Sequence, residues 1–210
     1  MAASRYKNDR QTDGDPIEPN IVSEIFDWLE AAVASVLAVI LVFTFLFRVV
    51  GVDGESMQNT LQDEDKVIIS HLFYTPSPGD IVVISRKYDN NPAEDTSQNK
   101  PIIKRVIAIA GDWVDLDYQN QEIIITRNGV SHVFVEPPDL LGAMDKRGGY
   151  LDFPVYVEAG KIFVMGDHRN NSYDSRYASL GMIDERYVLG KAVFRIWPFS
   201  GIGGLSYKQS

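Results

Sequence analysis

An uninterrupted apolar run near the start of the chain constrains the fold more than any other feature. Residues 31–47 (AAVASVLAVILVFTFLF) contain no charged side chain, and three valines continue the run beyond Arg48. About twenty residues, at a helical rise of roughly 1.5 Å each, span the hydrocarbon core of a bilayer, and Arg48 can extend to the headgroups. The run predicts a transmembrane helix over residues 29–50, with a buried core helix as the alternative.

The residues before this run favour an anchor that is not removed. A cleavable secretory signal begins near residue 1 with a basic segment, whereas here a mostly polar stretch comes first and its acidic residues outnumber its basic ones. Residues 1–28 are therefore predicted to be a cytosolic polar tail, and residues 1–20 have the composition of a disordered segment. Residues 11–30 contain no Lys or Arg, so local charge does not determine the orientation in the membrane.

Composition excludes several classes of function. The chain has 210 residues, and residues 51–210 are predicted to form one extracytoplasmic domain. The formal net charge of -9 is unsuited to a nucleic-acid partner, which would require a basic surface. The absence of cysteine excludes disulfides, thiolate zinc sites and cysteine nucleophiles. The three histidines form no His-Glu-x-x-His pair, so neither a metal nor another cofactor is predicted.

The chain beyond Gly51 alternates between short apolar runs and turn-forming residues. The runs are KVIIS (66–70), IVVIS (81–85), PIIKRVIAIAGD (101–112), WVDLD (113–117), QEIIITRNG (121–129), HVFVE (132–136), KIFVMGD (161–167) and KAVFRIW (191–197). Their length and β-branched content predict a mainly β domain, folded as one curled antiparallel sheet or a barrel-like assembly. Residues 88–100 and 137–153 are predicted to be surface loops.

Ser56 is a candidate nucleophile because it follows the apolar run directly, in the segment VDGESMQNTL (52–61). A serine next to glycine in a loop is also common in turns, where it has no catalytic role. A nucleophilic serine needs a base within hydrogen-bond reach. The rest of the sequence must therefore supply that base.

Lys104 is the candidate base. In the strand IIKRVI (102–107) a period of two places Ile102, Lys104 and Val106 on one face, so the lysine has apolar neighbours. A lysine with a pKa near 10.4 is protonated at neutral pH and cannot take a proton from serine. Burial that lowers this pKa by about 3 units costs roughly 4 kcal/mol and yields a usable base. The alternative is a lysine whose ammonium group reaches water.

A third segment, MGDHRNNSYDSR (165–176), predicts a hydrogen-bonded network because charged and amide side chains follow an apolar strand. It resembles the Gly-Asp-Asn-Arg-x-Asn-Ser-x-Asp-Ser-Arg box of bacterial type I signal peptidases, with His168 where that family commonly has Asn. Three further boxes of the family have counterparts here, in the family's order: Ser56-Met57, Gly79-Asp80-Ile81-Val82-Val83, and Lys104-Arg105-Val106-Ile107 with Gly111-Asp112.

The resemblance implies a serine protease in which Ser56 is the nucleophile and Lys104 the general base. Ser172 would hydrogen-bond to the lysine and orient it. Four charged residues would brace the site: Asp167, Asp174, Arg176 and Arg105. Arg105 lies on the opposite strand face from Lys104 and would pair with Asp167.

The resemblance also implies how substrate is bound. Signal peptides of exported preproteins would lie as an extended strand beside the site, on the extracytoplasmic side of the cell membrane. Shallow apolar pockets for small side chains would be lined by Val52, Met57, Leu61 and Ile103. Some Gram-negative members have a serine where this chain has Gly54, so the oxyanion hole would rest on backbone N–H groups, chiefly that of Ser56. Gly54 and the absence of a large inserted domain indicate a Gram-positive type, and Asn59 replaces a proline that many members have.

Other functions remain open at this point. A Ser/His/Asp hydrolase is disfavoured because the segment around Ser56 lacks the second glycine of a nucleophile elbow. Self-cleaving repressors of the LexA type share a Ser/Lys dyad and a related β fold, but carry a DNA-binding or partner domain in place of an anchor. A non-catalytic, membrane-tethered β binding module would leave Ser56 and Lys104 as independent surface residues. The distance between their side chains distinguishes such a module from a protease with a Ser/Lys dyad.

Overall fold

The computed structural model describes residues 21–72, 74–85, 100–135 and 143–205. The chain divides into two compact units, residues 1–42 and residues 43–210. The predicted tail up to residue 20 and most of the two predicted loops, residues 88–99 and 137–142, lie outside the described residues.

Helix α1 extends from Ile21 to Leu46, so it begins and ends earlier than the predicted helix over residues 29–50. Its first turn contains Glu24, whose charge is favourable at a helix N-terminus. Phe47–Gly51 forms a strand instead of a last helical turn, because this segment pairs with Lys66–Ser70. Among the residues that the structure describes, no helical segment is both long and apolar enough to cross a membrane.

The second unit is built almost entirely of strands. In the described part of the chain the strands are β1 (Phe47–Gly51), β2 (Lys66–Ser70), β3 (Ile81–Ile84), β4 (Ile102–Ile109), β5 (Trp113–Asp117), β6 (Glu122–Arg127), β7 (Val130–Val135), β8 (Val155–Tyr156), β9 (Lys161–Met165), β10 (Ile183–Asp184), β11 (Val188–Trp197) and β12 (Gly203–Gly204). Two short 3-10 helices lie at Glu185–Tyr187 and Phe199–Gly201.

These strands form two antiparallel sheets, where one curled sheet or barrel was predicted. The larger sheet has the order β1-β2-β11-β3-β4-β9-β10, with β12 added beside β11, and the smaller has the order β7-β6-β5-β8. All of the pairings are antiparallel, so the predicted mainly antiparallel β class is confirmed.

The middle of the larger sheet is covered on both faces. All four residues of β3 are buried, and so are Ile103, Lys104, Arg105 and Val106 of β4. Strand β5, in contrast, alternates, with Val114 and Leu116 buried between more exposed neighbours. Burial on both faces is why two charged residues of β4 lie in the interior.

Asp112 lies where the chain passes from β4 of the larger sheet to β5 of the smaller. Its fully buried carboxylate accepts hydrogen bonds from the Ile109 N–H at 3.0 Å and from Arg127 of β6, through Nε and one terminal nitrogen, at 2.7 Å each. Burial raises the pKa of Asp112, but the Arg127 and Ile109 donors outweigh burial and hold this pKa below its usual range. The charged pair therefore ties the second sheet to the end of β4.

Replacing Arg127 with Met should lower the free energy of unfolding by about 2 kcal/mol, because it leaves the buried Asp112 carboxylate without its charged donor. The matched control is Arg186→Met, which removes an exposed partner of Asp184 and should change stability little. Urea unfolding of both variants, followed by tryptophan fluorescence, measures the difference. Equal effects of the two substitutions would show that the Asp112 pair does not hold the sheets together.

Candidate active site

Ser56 lies in the loop between β1 and β2, and the backbone of this loop is fixed at both ends. The Val52 N–H donates to the Asp65 carbonyl at 2.8 Å, and the Gly54 N–H donates to Asp63 Oδ1 at 2.8 Å. Gly54 has a φ of 92°, in the left-handed region that glycine enters without strain. These contacts present Ser56 half-buried at the side of β4.

Lys104 reaches Ser56 from β4. Its Nζ lies 2.7 Å from Ser56 Oγ and donates to the Ile103 carbonyl at 3.0 Å. Only 4% of Lys104 is exposed to solvent. The structure therefore brings together the two side chains that the sequence predicts as nucleophile and base.

A cleft of about 270 Å³ opens beside this pair. Its lining residues are Asp53, Gly54, Glu55, Ser56, Ile102, Lys104, Asn171 and Tyr173. Asp53 also forms an exposed ion pair with Lys100 at this edge. The cleft thus has a polar rim and an apolar wall formed by Ile102.

The four residues predicted to line substrate pockets do not line this cleft. Val52, Met57, Leu61 and Ile103 belong to one apolar core cluster, and each is at most 6% exposed. Alternation along β4 explains the difference for Ile103, because its side chain points to the opposite face from Lys104. These residues form a packed apolar layer, and they offer little surface to a ligand.

Arg105 pairs with Asp167, the arrangement that the sequence predicts. Its guanidinium donates to both carboxylate oxygens, at 2.7 and 2.6 Å, and also to the Gly79 carbonyl at 2.7 Å. Thr60, which sequence reasoning missed, donates to the same carboxylate at 2.5 Å. Burial raises the pKa of Asp167, but the hydrogen bonds and charge of Arg105, with Arg169 and Thr60, hold this pKa below its usual range.

Asp174 and Arg176 form a second buried pair and shape the loop after β9. The guanidinium donates to both Asp174 oxygens at 2.8 Å, and Asp174 also accepts from the Gly166 N–H at 3.0 Å. A further guanidinium N–H donates to the Arg169 carbonyl at 2.5 Å. Burial lowers the pKa of Arg176, but Asp174 outweighs burial and raises it, so the arginine stays charged.

Ser172 does not form the predicted hydrogen bond to Lys104. Its Oγ is buried and has no hydrogen-bond partner among the described residues. Ser172 instead packs against Gly166, where an added Cβ would lie 2.3 Å from Ser172 Oγ and 2.4 Å from the Ser56 carbonyl oxygen. Gly166 therefore permits a close approach of the two loops that any side chain would prevent.

The backbone N–H of Ser56 donates to no group in the part of the chain that the structure describes. The Ser56 carbonyl, in contrast, accepts from the backbone N–H of His168 at 3.0 Å. A backbone N–H beside a serine hydroxyl can donate a hydrogen bond to an anionic oxygen. No group of three or more His, Asp or Glu residues within the described ranges is arranged to hold a metal ion.

Comparisons with known proteins agree on one family. A family model with the description signal peptidase, peptidase S26, matches residues 25–197. A signal peptidase I of Bacillus amyloliquefaciens is 33% identical over 187 residues, which cover 86% of this chain and 92% of that protein. A signal peptidase IB of Staphylococcus aureus (strain COL) is 30% identical over 193 residues, with coverages of 84% and 92%. A solved signal peptidase I of Enterococcus faecalis V583 aligns with a TM-score of 0.38 and 24% identity, over 56% of this chain and 97% of that one.

The lowered pKa of Asp167 predicts a specific pH dependence of stability. Asp167→Asn should lower the free energy of unfolding by about 3 kcal/mol at pH 7, because it removes the carboxylate that pairs with the buried Arg105 in bidentate geometry. The ionised carboxylate stabilises the fold fully above its unfolded pKa of about 3.9, and this stabilisation is lost as the pH falls through the lower folded value. The difference between wild type and variant should therefore be constant near neutrality and shrink below about pH 4.

Urea unfolding at pH 7, 5, 4 and 3 measures this dependence. Asp145→Asn, at an exposed position, is the matched control and should follow wild type throughout. A difference between Asp167→Asn and wild type that does not change with pH would contradict a structural role for the ionised carboxylate.

Proposed function

The chain belongs to the signal peptidase family, peptidase S26, and we propose that it removes signal peptides from exported preproteins with Ser56 as nucleophile and Lys104 as general base. As a member of this family the chain is a serine endopeptidase. The observation that carries the proposed dyad is the 2.7 Å contact between Lys104 Nζ and Ser56 Oγ.

The proposed mechanism requires a neutral Lys104. Burial of its side chain, which is only 4% exposed, penalises the ammonium form, as it does for any amine removed from water. The Ile103 carbonyl accepts one amine hydrogen and so fixes the orientation of Nζ. The neutral nitrogen is then directed at Ser56 and can accept the hydroxyl proton as Oγ attacks.

Cleavage then proceeds through an acyl-enzyme. Ser56 Oγ bonds to the carbonyl carbon before the cut, and the negative charge on its oxygen is stabilised by the Ser56 N–H. The tetrahedral intermediate collapses, the peptide C–N bond breaks, and Lys104 returns the proton to the leaving amine of the mature protein. Lys104 next takes a proton from a water molecule, which attacks the ester carbonyl. As the C–O bond to Ser56 breaks, Lys104 gives this proton to Ser56 Oγ, and the signal peptide leaves with a free carboxylate.

We propose that the substrate lies as an extended strand along the cleft, so that backbone hydrogen bonds supply most of the affinity. The side chains before the cut would contact the apolar wall of the cleft, which Ile102 forms. The buried cluster of Val52, Met57, Leu61 and Ile103 would support the site from within the core. No cofactor takes part in the proposed reaction.

The alternatives differ in what they require. A tethered β binding module requires Ser56 and Lys104 to be independent surface residues, and their contact and the burial of the lysine argue against it. A self-cleaving protease of the LexA type would use the same dyad. The signal peptidases I and IB that match 84–86% of this chain favour cleavage of other proteins.

We further propose that α1 anchors the enzyme to the cell membrane, with the residues from 51 onward on the extracytoplasmic side. The support is the charge-free sequence of residues 31–47 and the exposure of the apolar side chains along α1. Val33, Val36 and Ile40 are each more than half exposed, an unfavourable arrangement in water and a favourable one in lipid.

Substitutions of Lys104 test the dyad. Lys104→Met should lower the cleavage rate by roughly 10²–10⁴-fold, because it removes the general base, and it should keep or raise the free energy of unfolding because no buried amine remains. Lys104→Arg should be equally inactive, since a guanidinium does not give up its proton. Ser56→Ala should also be inactive, and Lys161→Met, at a surface ion pair, should cleave like wild type.

The assay is cleavage of a preprotein with an Ala-x-Ala site in detergent and lipid, followed by sequencing of the new N-terminus. Cleavage by Lys104→Met at the wild-type rate would show that Lys104 is a structural residue. Cleavage by the wild type away from the Ala-x-Ala site would contradict the proposed substrate.

Deletion of residues 1–46, which retains β1, tests the proposed anchor. A signal peptide is itself held in the membrane, so an anchored enzyme meets it at a higher effective concentration, and tethering of this kind contributes about 10²–10⁴-fold. The deletion variant should therefore process preproteins in proteoliposomes on the order of 100-fold more slowly, yet cleave a short soluble peptide at the full-length rate. Equal turnover of both proteins in proteoliposomes would contradict the anchor.

A further inference from the structure

One residue, His168, holds the carbonyl groups on both sides of the nucleophile. Its ring Nδ1 lies 3.3 Å from the Glu55 carbonyl oxygen, and its backbone N–H donates to the Ser56 carbonyl oxygen at 3.0 Å. A carbonyl oxygen can only accept, so Nδ1 carries the proton in the first contact. In the sequence, His168 stands as a departure from the family box.

The Glu55 carbonyl and the Ser56 N–H belong to the same peptide group. A trans peptide is planar, and its N–H points away from its C=O. The Glu55 oxygen also accepts from the Gln58 N–H at 3.1 Å, so His168 and Gln58 together fix the direction of the Ser56 N–H. The hydrogen bond from His168 polarises the amide as well, which strengthens the N–H as a donor.

We propose that His168 is a positioning residue that orients the Glu55–Ser56 peptide group so that the Ser56 N–H is directed at the oxyanion. This inference rests on the proposed function, because it assigns His168 to the same oxyanion hole. His168 acts through the peptide group and makes no contact with the reacting atoms.

The loop that carries His168 is itself held in place, as a positioning role requires. The Arg169 guanidinium donates to the Gly166 carbonyl and lies 3.7 Å from Asp167. Asn171 Nδ2 donates to Glu55 Oε2 at 3.3 Å. The loop therefore contacts both the backbone carbonyl of Glu55, through His168, and the Glu55 side chain, through Asn171. A group that positions another needs a rigid support of this kind.

The covalent structure of the side chain defines a matched set of variants. Histidine Nδ1 and asparagine Nδ2 are both attached directly to Cγ, so His168→Asn keeps an N–H donor at nearly the same place. His168→Asp has the shape of asparagine, but an ionised carboxylate cannot donate a hydrogen bond. His168→Leu removes the donor without adding a charge.

The experiment compares kcat and KM of the full-length variants on a preprotein with an Ala-x-Ala site. His168→Asn should keep kcat within about threefold of wild type. His168→Asp and His168→Leu should lower kcat on the order of 10- to 100-fold and leave KM nearly unchanged. This loss in kcat is smaller than the roughly 10²–10³-fold loss that follows complete removal of an oxyanion donor. Affinity for a peptide boronic acid, whose tetrahedral serine adduct presents an oxygen to the Ser56 N–H, should fall in parallel with kcat.

Three outcomes would overturn the inference: wild-type kcat in both the Asp and Leu variants, a change confined to KM, or a loss in His168→Asn as large as that in His168→Leu. Thermal unfolding of each variant identifies a temperature at which all of them are folded. Measuring kcat at that temperature keeps a folding defect from being mistaken for a change in kcat. The proposed function fails separately, through a wild type that does not cleave or a Ser56→Ala variant that does.

Discussion

Arg105 and Asp167 form an ion pair in the interior, with side chains only 7% and 1% exposed. Removing two charges from water is unfavourable, and the pair is tolerated only when its geometry and its other hydrogen bonds are complete. Here they are complete, because the Asp167 carboxylate also accepts from Thr60 and the guanidinium also donates to Gly79. The pair therefore selects one arrangement of β4, the loop after β9 and the loop that carries Ser56. Its residues are direct neighbours of the proposed site residues: Lys104 precedes Arg105, His168 follows Asp167, and Ser56 shares a loop with Thr60.

Two adjacent basic residues on β4 are buried in different ways. Arg105 keeps its charge and requires a carboxylate in bidentate geometry, which Asp167 provides. Lys104, on the opposite face, contacts the oxygens of Ser56 and Ile103, which are uncharged. Alternation along one strand thus separates a structural cation from the amine that is proposed as the base. Exchanging the two residue types would place an arginine, which cannot deprotonate, beside Ser56.

Local sequence patterns predicted most of the strands, because each is a short apolar run closed by turn residues. Strands β2 and β5 have the predicted bounds. Strand β1 was included in the predicted helix, because three of the four residues in Phe47–Val50 are apolar and continue the run before them, and only the pairing with β2 identifies the segment as a strand. Motifs in the chain predicted that Ser56 and Lys104 would meet. They did not predict Thr60 at Asp167 or the packing of Gly166 against Ser56, because contacts between residues more than a hundred positions apart leave no local signal.

The alternation of β4 also explains why the predicted pocket residues are buried. Ile103 faces the apolar cluster with Met57 and Leu61, whereas Ile102 shares the face of Lys104 and lines the cleft. The apolar wall of the cleft therefore lies on the strand face that carries Lys104. Removal of an amine from water disfavours its ammonium form, so the strand that carries Lys104, the proposed base, also contributes to the surroundings that such a role requires.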